Sequence, residues 1–174
     1  MRGLRPYVSR MFWSGVWPAI RRPVEHVFFS ALVLKTDNFT HVRWLDQPIL
    51  QNTLDLWTIQ ETIADLKPAL IVETGTNRGG SSLFYAHLFD LLGTDGHIVT
   101  IDVAKQHDVR HPRVTYLIGD SVSAVVVDAV RASVERAAGP VLVILDSDHS
   151  AAHVARELDV YSTFVTPGSY VLVQ

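Results

Sequence analysis

The residues best suited to do chemistry lie in two short stretches of the chain, Ile144–Ser150 (ILDSDHS) and Ala69–Ser82 (ALIVETGTNRGGSS). In ILDSDHS two carboxylates and an imidazole crowd the end of an apolar run, which is costly near a core unless the group binds a cation or moves protons. Asp146 suits a hard cation, Mg²⁺, because a chain without cysteine offers no thiolate. His149, three residues on, suits the removal of a proton from a substrate hydroxyl whose pKa the metal has lowered. The competing reading has Asp148 or Ser150 capping the next helix and His149 on the surface. Capping is compatible with catalysis, so the two readings stand together.

The second stretch reads as a buried strand, a glycine turn and the first turn of a helix. Leu70, Ile71 and Val72 show no polar alternation, and Gly75, Gly79 and Gly80 allow backbone angles closed to other residues. The helix that follows aims free N–H groups at an anionic part of a ligand. Glu73 and the turn would hold the polar tail of that ligand. Asp102, about twenty residues beyond the turn, stands where an acid accepts hydrogen bonds from ribose. Asp120 and Ser121 would flank a purine base. A dinucleotide fingerprint needs glycine where this chain has Asn77, which disfavours NAD or FAD. Read structurally, the glycines would only make a tight turn and the acids would be solvated.

These side chains need a scaffold, and the pattern from Ala69 onward supplies one. Apolar strands are expected at Ala69–Glu73, His97–Val103, Val114–Asp120, Val141–Ser150 and Ser169–Gln174, alternating with helices. Such alternation implies right-handed crossovers and a parallel sheet whose carboxyl edge gathers Glu73, Asp102 and Asp120 around one crevice. Ahead of it, Thr53 caps a helix with Leu56, Ile59, Ile63 and Leu66 on one face, ending before Pro68. Phe84, Leu88, Leu91 and Leu92 would face the core from the helix begun by Ser81 and Ser82, and Ser121 would open another. His41–Asn52, with Trp44, Pro48 and Gln51, reads as an ordered loop. The domain division expected is 1–52, an N-terminal helical and loop extension, and 53–174, a Rossmann-like domain.

Composition narrows the partners. The net charge of −3 conceals five arginines and no acid before Glu25, so the remainder is acidic. An acidic body lacks the basic footprint of a nucleic-acid binder, which points to a small molecule. The apolar run Met11–Ile20 is interrupted by Pro18 and followed by Arg21 and Arg22, unlike a secretory signal. Trp13 and Trp17 beside arginines could rest on a membrane surface; an extra helix packed on the domain is the reading taken, with Val24–Leu34 helical and Lys35–Asn38 closing it. The absence of cysteine fits a cytoplasmic protein. His107, His111 and His153 are given no role.

The spacing E-x-G-x-x-x-G, from Glu73 to Gly79, resembles the first motif of class I S-adenosylmethionine-dependent methyltransferases, with Asn77 at their central glycine. The paired stretches VETGTNRGGS and ILDSDHS, within the span from Trp44 to the C-terminus, resemble the cephalosporin hydroxylase and rhamnosyl O-methyltransferase family. That resemblance implies a Rossmann-like α/β fold with five parallel strands and helices on both faces, with S-adenosylmethionine as cofactor and a Mg²⁺ site. Glu73, Gly75, Thr76, Asn77, Gly79, Ser81, Asp102, Asp120 and Ser121 are then the cofactor-binding residues. Asp146 matches the family's metal aspartate, and His149 falls where related catechol enzymes place a lysine base. The family's other metal carboxylates and terminal antiparallel strands would lie beyond Gln174, so the chain is expected to be an incomplete copy.

The expected function is O-methyl transfer to a hydroxyl of a sugar, glycolipid or natural product, with homo-oligomers open. The alternatives are a hydroxylase needing iron, for which two histidines and a carboxylate would have to converge, and a cofactor-binding remnant with a scaffolding or regulatory role.

Overall fold

The computed structural model describes residues 12–35 and 39–174. They form two compact units, Met1–Phe39 and Thr40–Gln174. The first holds a π-helical turn, Phe12–Val16, running into α1, Trp17–Lys35. Here Pro23 lies inside the helix expected only from Val24 onward. The polar closure expected at Lys35–Asn38 falls largely outside the described residues. None of the described helices is long and apolar enough to cross a membrane.

The second unit begins earlier than the expected boundary. Arg43–Trp44 (β1) and Gln47–Pro48 (β2) pair as a small antiparallel hairpin, in place of a plain loop, and Ile49 behind them is buried in the core. Next come α2 (Thr53–Leu66), β3 (Leu70–Thr74), α3 (Gly80–Leu92), β4 (His97–Asp102) and β5 (Val114–Ile118). They are followed by α4 (Ala124–Arg136), β6 (Val141–Leu145), α5 (Ala151–Tyr161) and β7 (Val171–Val173). The five long-range strands pair in parallel in the order β5-β4-β3-β6-β7. Strand order therefore reverses beside β3, where open α/β sheets bind their ligands.

Each face of the sheet is covered, which is why the strands read as continuous apolar runs. Ile71, Ile98, Leu142 and Ile144 pack with Ile59 and Ile63 of α2 and with Phe84, Tyr85, Leu88 and Phe89 of α3. On the other face Val72, Val99, Ile101 and Val143 meet Val126 and Val130 of α4 and Tyr161 of α5. The expected stripe of α2 holds. In α3 it holds at Phe84 and Leu88 and fails at Leu91, 78% exposed, and Leu92, with Tyr85 and Phe89 buried as well. The segment LFYAHLFDLL is apolar around most of its circumference, so periodicity alone leaves its inward face undetermined.

Helix starts also move. Asn52, not Thr53, caps α2, its side-chain oxygen accepting from the Leu54 N–H at 2.9 Å. Gly79 in the left-handed region precedes α3, and Ser123 precedes α4, leaving Ser121 buried in the loop ahead of it. Ser150 does cap α5, accepting from the His153 N–H.

Candidate active site at the carboxyl edge of the sheet

The turn between β3 and α3 is shaped by two close approaches. At Gly75 (φ 95°) an added Cβ would stand 1.8 Å from the carbonyl oxygen of Asp146, so only glycine lets the ends of β3 and β6 come together. At Gly80 a Cβ would stand 2.2 Å from the carbonyl oxygen of Pro48, so the turn is pressed against the hairpin. The Gln47 side chain reinforces that contact by donating to the Arg78 carbonyl oxygen at 2.5 Å. Asn77 adopts φ 46°, a left-handed conformation that asparagine tolerates better than most residues, and so supports a turn built for glycine.

Beyond the turn lies a cavity of about 470 Å³. Gly75 and Asn77 line it from the turn, Asp102 from the end of β4, Asp120 and Ser121 from beyond β5, and Asp146 and Ser147 from beyond β6. The carboxylate of Asp102 accepts from the Asn77 N–H at 2.7 Å and from the Ala104 N–H at 3.2 Å. These bonds fix the acid against the turn. A cavity of about 770 Å³ lies at the opposite, amino-terminal edge around Lys67, His97 and Arg136, away from all of these acids.

Glu73, Thr76, Gly79 and Ser81 do not line the 470 Å³ cavity. Glu73 is 1% exposed and accepts from the Thr100 hydroxyl at 2.6 Å. With its proton committed there, Thr100 accepts in turn from Thr76 at 2.6 Å. Glu73 thus supports the turn from beneath. Burial pushes its carboxyl up to about 7, against the pull of the Ser81 and Thr100 hydroxyls.

Asp146 sits at the other side of the crevice. Burial raises its carboxyl to about 6, while the neighbouring His149 and a hydrogen bond from Gln51 act in the opposite direction. The bond runs from Gln51 Nε2 to Asp146 Oδ2 at 2.6 Å, and the same amide meets the side-chain oxygen of Gln174. Nothing in the sequence around Gln51 announces this role. His149 Nε2 is 3.8 Å from Asp146 Oδ1, and His149 Nδ1 is 3.1 Å from the Gln174 carbonyl oxygen. A carbonyl can only accept, so Nδ1 donates to Gln174, and Nε2 stands on the side of Asp146. Among the described residues no three of His, Asp and Glu converge as a metal cluster. Asp146 therefore fits a hard-cation ligand in chemistry and contributes a single carboxylate.

Two residues passed over in the sequence also belong here. His153, with 12% of its side chain exposed, lines the cavity and lies 3.1 Å from the Ser121 hydroxyl. Glu157, 1% exposed, accepts from Ser121 at 2.6 Å and Ser147 at 2.7 Å. Their spacing of one helical turn was the available signal. His107 packs its ring 4.7 Å from that of Tyr116 and would meet a Cβ at Gly79, whereas His111 pairs with Asp90 at 3.1 Å.

Comparison with known proteins places this geometry in context. The family model described as "Rhamnosyl O-methyltransferase/CmcI" matches residues 36–174. A rhamnosyl O-methyltransferase of Mycobacterium leprae is 29% identical over 170 residues, covering 95% of this chain and 74% of that protein. One from Mycobacterium bovis is 28% identical over 124 residues, covering 69% of this chain and 51% of that protein. Among solved structures, a CmcI structure with Mg and SAM has a TM-score of 0.64 at 19% identity, covering 78% of this chain and 58% of that one. The MycE methyltransferase in complex with Mg, SAH and mycinamycin VI has a TM-score of 0.56 at 21% identity, covering 72% and 33%. Both structural likenesses concern the fold.

Proposed function

The chain belongs to the rhamnosyl O-methyltransferase/CmcI family, and from that membership we propose that it is an S-adenosylmethionine-dependent O-methyltransferase. Its acceptor is a hydroxyl of a sugar, glycolipid or other natural product. One observation carries this reading: Asp102, Asp120, Ser121 and Asp146 reach a single cavity from three strand ends at the point where strand order reverses. The names of the mycobacterial relatives support the reaction type, and the CmcI and MycE complexes support the donor and Mg²⁺.

The residues present fit the donor. The left-handed turn at Gly75 and Asn77 would bring backbone close to its polar tail, Asp102 would accept from the ribose hydroxyls, and Asp120 with Ser121 would flank the base. When bound, S-adenosylmethionine supplies an electrophilic methyl on a sulfonium, and Mg²⁺ on Asp146 would acidify the acceptor hydroxyl. Transfer of the methyl to the acceptor oxygen would leave the carbon–sulfur electron pair on sulfur. The hydroxyl proton passes to His149 Nε2, the ring nitrogen left free by the Gln174 carbonyl. Because a cationic sulfonium becomes a neutral thioether, the acidic crevice favours donor over product.

Titration calorimetry with S-adenosylmethionine and S-adenosylhomocysteine tests the reading. Saturable binding to one site is expected, weaker for S-adenosylhomocysteine; absence of binding by either would overturn it.

A further inference from the structure

The transfer chemistry leaves one buried carboxylate unused. Glu157 Oε1 is the meeting point of Ser121 Oγ at 2.6 Å, Ser147 Oγ at 2.7 Å and His153 Nε2 at 3.3 Å. Serine, histidine and glutamate in such proximity resemble a nucleophile and its base, but the protons run the wrong way. Arg156 stands 3.0 Å from His153 Nδ1 and a guanidinium only donates, so Nδ1 accepts and the ring proton sits on Nε2. Nε2 then has no lone pair to take the Ser121 proton, which goes to Glu157 instead. The cluster holds positions.

Its place in the fold says which positions. Ser121 follows β5 and Ser147 follows β6, strands separated in the sheet by β4 and β3. Glu157 spans that gap from α5, and Tyr161 on the same helix holds the Ser121 carbonyl oxygen at 2.6 Å. Ser121, Ser147 and His153 all line the cavity. We propose that Glu157 is a positioning residue for the donor: it ties the loops after β5 and β6 together beneath the crevice and so sets the seat of the donor's nucleoside. This deepens the function proposed above and rests on it.

The test compares the wild-type chain with Glu157→Ala, Glu157→Gln and the double variant Ser121→Ala/Ser147→Ala by calorimetric titration with S-adenosylhomocysteine. Losing the shared acceptor weakens binding at least about tenfold in Glu157→Ala, because the buried Ser121 hydroxyl and the half-buried Ser147 hydroxyl lose their common partner. Glu157→Gln keeps an oxygen at the same place and restores affinity to within about threefold. The ¹⁵N shifts of His153 report an Nε2–H tautomer in the wild type, and the Nε2 resonance moves in Glu157→Ala as its acceptor is removed. A folded Glu157→Ala with wild-type affinity overturns the proposal while leaving the function standing. Should that variant not fold, wild-type affinity in the double serine variant overturns it equally. No donor binding by the wild type defeats the proposed function and this inference together.

Discussion

Gln51 and Asp146 lie 95 residues apart in the chain and 2.6 Å apart in space, the amide of one donating to the carboxylate of the other. The hydrogen bond favours the charged form of a carboxyl that burial holds at about 6. Gln51→Leu should therefore move the Asp146 midpoint upward. A hydrogen bond to a charged group is worth ~1.5–3 kcal/mol, so the ionised form loses on that scale. A carboxyl ¹³C titration reads the change, and an unmoved midpoint would show that Gln51 does not act on Asp146.

Gly75 is the residue least open to substitution. Its left-handed backbone and the carbonyl of Asp146 1.8 Å from any added Cβ act together. Gly75→Ala is expected to cost more than about 3 kcal/mol, from strain plus displacement of one strand end from the other. Urea denaturation measures this; a loss under about 1 kcal/mol would mean the two strand ends part easily.

Glu73 gives stability a pH slope. Its carboxyl is raised from 4.5 to about 7 in the folded chain, so between those values the folded state binds more protons than the unfolded one. Its contribution, about 3 kcal/mol, is complete below pH 4.5 and is lost as pH rises through 7. Asp146 slopes the same way over 3.8 to about 6. Glu73→Gln should flatten the curve between about pH 4.5 and 7 and exceed the wild type in stability at about pH 8. Denaturant midpoints across that range check it, and an unchanged slope would assign the dependence elsewhere.

His149 stands outside the 470 Å³ cavity proposed for the donor, with Nε2 facing Asp146. His149→Ala should lower the methyl-transfer kcat by roughly 10²–10⁴-fold, the usual contribution of a general base, with donor affinity unchanged. Single-turnover rates and calorimetry separate the two effects. Equal loss in both would make His149 a structural residue.

The sheet and its edge were legible in the chain because buried parallel strands write themselves as unbroken apolar runs, as at Leu70–Val72 and Val141–Leu145. Asp102, Asp120 and Asp146 were legible as acids directly after such runs. Gln51 and Glu157 were not. Each matters through a partner that folding brings from far along the chain, and a lone glutamine or helix glutamate carries no local mark of that. The inward face of α3 was hidden for the opposite reason, since Leu91 and Phe89 are equally apolar and only packing separates them.

The position of β3 between β4 and β6 also orders the folding of the chain. β4 follows β3 after a single helix, whereas β6 arrives only after α3, β4, β5 and α4. Loop-closure entropy makes the first pairing early and the second late. The half of the crevice bearing the glycine turn and Asp102 can thus exist before the half bearing Asp146. A nascent chain that has extended only through β5 would hold the glycine turn and Asp102 without the strand that carries Asp146.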